Sequence, residues 1–230
     1  MLRIFPEHNK ILAAFSDKTD GSLSFKWPGE NVAENRYQFF KNLGVDVDQL
    51  MLMEQIHGAN VAQVDKKESD RVDGVDALIT SEKNIILGVE TADCVPVFAY
   101  NTFTNTVGVA HAGWRGIEAG IIESFVNKFS DKSENLFISI GPHIQSCCFE
   151  VKSDVQAKFA KYPQAIRLDF GKFYVSLSQI IQEKLIALGV REENIQISEE
   201  CSCCSDKYFS YRRDKMQNPG AMLGIITLKS

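Results

Sequence analysis

Long apolar runs are missing from this sequence. No window approaches ~18 consecutive apolar residues, the length a membrane-crossing helix needs, so no membrane partner is expected. The first ten residues carry no extended apolar stretch behind a basic start, so no secretory leader is expected. Positive charge is not in excess either: 25 Lys and Arg stand against 30 Asp and Glu, a formal net charge of -5. That balance argues against a nucleic-acid partner, whose phosphates need a basic face. Neither GxGxxG nor GxxxxGKS/T occurs, which removes the usual dinucleotide and phosphate-loop readings. Histidine is scarce, four in all and none in a His-x-His pair, and no fixed-period repeat or low-complexity segment is present.

What is there fits a globular chain. Over 230 residues, 44% hydrophobic and 24% charged content allows a full core without disulfides or metals to hold it together. With no leader, a cytoplasmic location is expected, where the six cysteines are thiols or ligands rather than bridges. The two linker-like stretches, Pro28-Gly29-Glu30 and Lys66-Lys67-Glu68-Ser69-Asp70, are too short to separate domains, so 1–230 reads as a single domain.

Runs rich in β-branched and aromatic residues predict strands at 23–26, 61–64, 77–80, 85–89, 95–100, 106–110, 136–140, 195–198 and 224–228. Helical spacing predicts 32–43, with Asn31 as N-cap and Gly44 as stop. Further helices are predicted at 48–54, 116–129, 155–160 and 175–188, the last closing at Gly189. Strands and helices mix without strict alternation, which predicts an α+β fold with mixed sheets flanked by helices.

Reactive side chains concentrate at the ends of apolar strands, where sites are usually built. His57, Cys94 and His111 offer two imidazoles and a thiolate, a donor set suited to zinc, and three protein ligands leave a fourth position open for catalysis. Their separations, 37 and 17 residues, are far from local zinc-finger spacing. The same atoms also read as a cysteine nucleophile, with Cys94 attacking, His111 as base and Asp93 or Gln55 orienting it. Asp93 beside an apolar strand needs a partner in either case. In His111-Ala112-Gly113-Trp114-Arg115-Gly116 the glycines permit close backbone approach, Arg115 offers a clamp for an anion, and Trp114 a flat face for a ring or a place in the core. His8 and His143 are weaker candidates. Cys201 and Cys204 form one C-x-x-C, but with Cys147 and Cys148 they make no CxxC ladder pair, and packed thiols are the expectation.

Five segments occur in order: Gln55-x-His57-Gly58, Thr91-Ala92-Asp93-Cys94-x-Pro96, His111 to Gly116, Gly141-Pro142-x-Ile144-x-x-Cys147-Cys148-Phe149-Glu150-Val151, and Phe209-Ser210-Tyr211-Arg212-Arg213-Asp214. Together they resemble the YfiH family, also called the polyphenol oxidase or laccase-domain family, from about residue 20 onward. The resemblance implies a YfiH-like α+β domain, a fold similar to that of bacterial cytotoxic necrotizing toxins, whose Cys and His act as a deamidase pair. It implies one catalytic zinc on His57, Cys94 and His111, and purine nucleosides and phosphate as small-molecule substrates, with a monomer expected. The implied activity is phosphorolysis of adenosine, inosine, guanosine or methylthioadenosine to base and sugar-1-phosphate, with hydrolytic deamination of adenosine. The implied catalytic residues are Asp93, Cys94, His111 and Arg115, and the implied substrate contacts Gln55, Trp114, Arg115, Tyr211 and Arg212, with Arg213 a further phosphate candidate. Two departures stand out: residues 215–221 replace the family's usual Thr-Gly-Arg, and Ser202 stands where a threonine is usual. Copper is disfavoured as the metal, because a multicopper oxidase needs many imidazoles in His-x-His pairs. The cytidine-deaminase zinc signature is also missing, so deamination would use another acid–base group. A nucleoside-binding module without turnover is the remaining alternative.

Overall fold

Alternation along the strand Val95–Asn101 sets the layering. Phe98 and Tyr100 project into a cluster with Phe15, Met51, Val89 and Val109, while Val95, Val97 and Ala99 join Ile117, Ile121, Phe125 and Ile180 on the opposite face. A period of two with both faces apolar marks a strand at the heart of a layered molecule. The computed structural model describes residues 1–26, 31–129, 133–215, 217 and 220–229, so the stretch 28–30 lies outside the described residues. Two six-stranded mixed sheets pack face to face. The first runs Leu2–Ile4, Ile11–Phe15, Met222–Leu228, Ile86–Thr91, Leu50–Met53 and Arg71–Val72. The second runs Ile195–Ile197, Leu136–Ile140, Val95–Asn101, Thr106–Ala112, Ala77–Thr80 and Val61–Gln63.

Helices cover the outer faces. Val32–Leu43 lays Phe39, Phe40 and Leu43 on the first sheet against Leu12, Leu52 and Ile225. On the second sheet, Trp114–Ala119, Ile121–Asn127 and Leu177–Ala187 bury Ile117, Ile121, Phe125, Ile180 and Ile181. A small antiparallel sheet of Glu150–Val151, Lys172–Val175 and Ile166–Asp169 completes the fold. Helix on sheet, sheet on sheet and sheet on helix make this α+β, as the sequence predicts. Among the described residues no helix is long and apolar enough to cross a membrane.

Several elements differ from their predictions. Residues 23–26 form a loop and turn, with Leu23 N–H bonded to Ala221 O and Phe25 62% exposed, so no strand partner runs alongside. The helix predicted at 48–54 is instead a short 3-10 turn, Val47–Gln49, followed by the strand Leu50–Met53, buried on both faces. The helix predicted at 116–129 is two helices, broken where Gly120 turns to φ 98°. Asn31 makes no side-chain cap bond, whereas Gly44, at φ 72°, closes the same helix as predicted.

Candidate functional site

The turn that carries the chain from one large sheet to the other contains Cys94. The strand Ile86–Thr91 belongs to the first sheet and Val95–Asn101 to the second, so residues 92–94 sit at the seam of the sandwich. Asp93 there holds φ at 97°, a left-handed conformation that an L residue adopts only under support. The support is explicit. Its Oδ1 accepts from Ser202 Oγ at 2.7 Å and its Oδ2 from the backbone N–H of Arg212 at 2.6 Å.

Next to the seam, the strand Thr106–Ala112 delivers His111, and the loop after Leu50–Met53 delivers His57. The ligand atoms of His57, Cys94 and His111 all lie within 4.8 Å of one another, and the two imidazole rings meet edge to face at 4.7 Å. Cys94 Sγ is 3.9 Å from His57 Nε2. Three residues separated along the sequence thus share one point, as both the metal and the nucleophile readings require.

The organiser of this point is a residue that sequence reasoning missed. Asp76, fully buried, accepts from the N–H groups of Ile56, His57 and Gly58 at 3.2, 3.0 and 2.7 Å. These donors converge because His57 takes φ 60°, which folds successive N–H groups into an anion-binding nest. The same carboxylate receives His111 Nδ1 at 2.8 Å, leaving Nε2 to face the site. Burial alone would raise the Asp76 pKa, but His111 and the backbone donors outweigh it and hold the group ionised below its usual range. A carboxylate on the far nitrogen of an imidazole is the usual support of a metal-binding histidine. One signal could have found it: a charged residue opening the apolar run 77–80 needs a partner as much as Asp93 does, although the run itself reads as ordinary core.

Electrostatics couple Cys94 and His111. Burial opposes ionisation of the thiol, yet His111 beside it, with His57, brings its pKa down to about 6. Burial likewise opposes charging of His111, and the Cys94 and Asp76 charges raise it to about 9. Protein atoms therefore favour a thiolate here, the form that binds metal or attacks carbon.

The triad lies on the wall of a cavity of about 470 Å³. Gln55, Asp93, Trp114, Arg115, Tyr211 and Arg212 all line it, together with Lys26, Glu90 and Phe149, which sequence reasoning did not single out. Their availability differs. Arg115 stacks its guanidinium 4.2 Å from the Trp114 ring and pairs with no carboxylate among the described residues. Gln55 spends its amide on the backbone of Glu90, so it positions a strand edge and does not orient His111. Arg212 donates through Nη1 to Cys148 O and Glu150 O, 3.1 Å each. Arg213 is fully committed, bidentate to Asp214 and bonded to four backbone carbonyls, so it holds no phosphate. Buried Glu90 accepts from Arg36 through Oε1 at 2.8 Å, while Oε2 makes no hydrogen bond but pairs with the Arg71 guanidinium at 3.8 Å.

The glycines of the 111–116 segment do allow close approach, but to protein. A Cβ on Gly113 would sit 2.9 Å from His57 Cδ2 and 3.1 Å from Cys94 Sγ, and one on Gly116 would sit 2.9 Å from Gly58 O. Trp114 both packs against the helical core and lines the cavity. The other two histidines lie elsewhere. His8 packs among Phe5, Tyr100 and Phe137, and buried His143 bonds Gly141 O through Nδ1.

Known proteins share this arrangement of sequence and fold. The family model described as multi-copper polyphenol oxidoreductase laccase matches residues 16–229. A relative named purine nucleoside phosphorylase YlmD, from Geobacillus stearothermophilus, is 31% identical over 215 residues, covering 85% of this chain and 78% of the relative. One named adenosine deaminase RL5, from an unknown prokaryotic organism, is 32% identical over 213 residues, covering 84% and 81%. The crystal structure of YlmD from Geobacillus stearothermophilus superposes with a TM-score of 0.90 at 27% identity, covering 98% of this chain and 94% of that one. The chain belongs to the multi-copper polyphenol oxidoreductase laccase family, the YfiH family that its five motifs resemble.

Proposed function

We propose that this protein is a zinc-dependent purine nucleoside enzyme, cleaving nucleosides with phosphate and deaminating adenosine. The observation that carries the reading is the His57–Cys94–His111 donor set, backed by Asp76, on the wall of a nucleoside-sized cavity. Relatives named for both activities support it. A bound zinc ion would supply Lewis acidity and a lowered pKa for water. The chain's own residues do the rest. Asp76 fixes the His111 tautomer, and the stacked Arg115 guanidinium supplies fixed charge for phosphate. Trp114 offers its face to the base, and Glu90 Oε2 can accept from a ribose hydroxyl or a purine N–H. Asp93 holds the Cys94 turn and the start of the Tyr211–Asp214 helix in register. In phosphorolysis the glycosidic C–N bond breaks, a phosphate oxygen bonds the ribose carbon, and the base leaves with the electron pair and takes a proton. In deamination water adds at the amino-bearing ring carbon and ammonia leaves.

Copper oxidase chemistry fits poorly, since only two of four histidines meet at one point and none forms a His-x-His pair. A cysteine hydrolase is the second reading, favoured by the thiol lowered to about 6 beside His111. The free thiols suit the reducing cytoplasm. Metal analysis coupled to an adenosine assay, with and without phosphate, tests the main reading. Wild type should release adenine only with phosphate, form inosine without it, lose both to a chelator, and regain them with zinc. His111→Ala turning over as fast as wild type would sink the triad. Activity that survives chelation but not Cys94 alkylation would favour the hydrolase.

A further inference from the structure

A second group of sulfur atoms stands outside the cavity. The Sγ atoms of Cys147, Cys148, Cys201 and Cys204 all lie within 4.8 Å of one another. Cys147 and Cys148 are 3.9 Å apart, and Cys204 lies 3.3 Å from the first and 3.1 Å from the second. In a tetrahedral zinc tetrathiolate with bonds of about 2.3 Å, neighbouring sulfurs are about 3.8 Å apart. The observed spacings bracket that edge. The packed-thiol expectation holds for Cys201, which is buried in the core, and for Cys148, which packs against it, but Cys147 and Cys204 are exposed.

The backbone is arranged for such a centre. Cys201 pairs with His143 in an isolated bridge, and Ser205 N–H closes the 201–205 turn on Cys201 O at 3.0 Å. Gln145 N–H donates to Cys201 Sγ at 3.4 Å, the kind of contact that favours thiolate. Two guanidinium groups grip the thiol-bearing turns: Arg212 through Cys148 O, and Arg213 through Ser202 O, Cys203 O and Ser205 O.

We propose that Cys147, Cys148, Cys201 and Cys204 form a structural zinc site, distinct from the His57–Cys94–His111 centre. Zinc replaces the four S–H protons, which pass to solvent, and no electron is transferred. The resulting centre carries a net charge of −2, beside the turn that the Arg212 guanidinium holds through Cys148 O. Its four ligands leave no open position, the mark of a structural site. The position gives it a consequence for the cavity. Ser202, enclosed between ligands Cys201 and Cys204, bonds the Asp93 carboxylate, and Arg212 bonds the same carboxylate through its backbone. The proposal does not depend on which reaction the cavity performs.

Metal content, cobalt spectra and thiol alkylation test it on the whole chain purified anaerobically. The His57→Ala/His111→Ala variant should retain one zinc per chain, and adding Cys201→Ser and Cys204→Ser should remove it. Cobalt-loaded wild type should show sulfur-to-cobalt charge transfer that weakens severalfold in Cys204→Ser but persists in His57→Ala. If the serine variants fold poorly, the His57→Ala/His111→Ala variant decides with all four thiols intact: one equivalent of zinc should protect four thiols from alkylation, mapped to these four residues. Zinc content equal in wild type and the double-serine variant, protection confined to Cys94, or an intact disulfide from Cys204 to Cys147 or Cys148 would overturn it.

Discussion

Asp76 touches four groups at once, three backbone N–H donors and the His111 ring. That makes it the residue on which the tautomer of one proposed ligand and the loop of another both depend. Asp76→Asn should weaken zinc binding at the His57 centre by about 10- to 100-fold, the usual effect of removing a supporting carboxylate. Competition with a chromophoric chelator measures it, best in a background with Cys201 and Cys204 replaced by serine. His143 gives a second residue-scale prediction. Burial lowers its pKa to about 4, against an ordinary value of 6.5. Between those values the unfolded chain takes up a proton that the folded chain refuses, so stability is full above pH 6.5 and falls as pH falls. The loss reaches about 3 kcal/mol by pH 4. Urea midpoints at pH 7 and pH 4 should converge for His143→Gln by that amount relative to wild type, and an unchanged acid loss would refute the assignment. The cavity residues were legible at this scale because polar groups interrupt apolar strands, whereas Asp76 and Glu90 hid beside runs that read as ordinary core. Arg213 was misread because its neighbour Asp214 was not weighed as its partner.

At the scale of elements, local chemistry and tertiary context compete. The bounds of Val32–Leu43 were readable because helical spacing and the Gly44 stop agree, although its buried face is Val32, Arg36, Phe39, Phe40 and Leu43, with Ala33 and Tyr37 exposed. Leu50–Met53 was not, since Leu and Met favour helices in isolation and only burial between neighbours makes them a strand. Strands Leu2–Ile4 and Ile11–Phe15 escaped notice for a related reason, Ala13 and Ala14 giving little β signal. The pair of helices after His111 looked continuous because Ile117, Ile121 and Phe125 keep one spacing across the break. Gly120 makes that break, at φ 98°, where an added Cβ would meet only Glu123 Oε2 at an ordinary contact distance of 3.8 Å. Gly120→Ala should therefore cost about 1–2 kcal/mol from backbone strain alone. A denaturant titration would show it as a lower midpoint with an unchanged slope, and no loss would mean that the two helices straighten into one.

For the molecule as a whole, the proposed ligands bridge layers. His57 follows a strand of the first sheet, His111 sits on the second, and Cys94 lies on the crossing between them. Zinc held there should cross-brace the sandwich. Free zinc at about 100 times Kd should add about 2.7 kcal/mol to stability by linkage. Calorimetry with and without zinc measures the gain, and His57→Ala should lose the part due to this centre. The strand order carries one more consequence. Met222–Leu228 lies between Ile11–Phe15 and Ile86–Thr91, antiparallel to both. Until residue 228 is made, a chain emerging from the ribosome has a gap in its first sheet, flanked by two apolar strands that each have one edge unpaired. Vectorial folding cannot close it, and joining strands some 210 residues apart carries the slow kinetics of non-local pairing. Nascent chains stalled before residue 222 should therefore be the aggregation-prone species and the ones that chaperones hold.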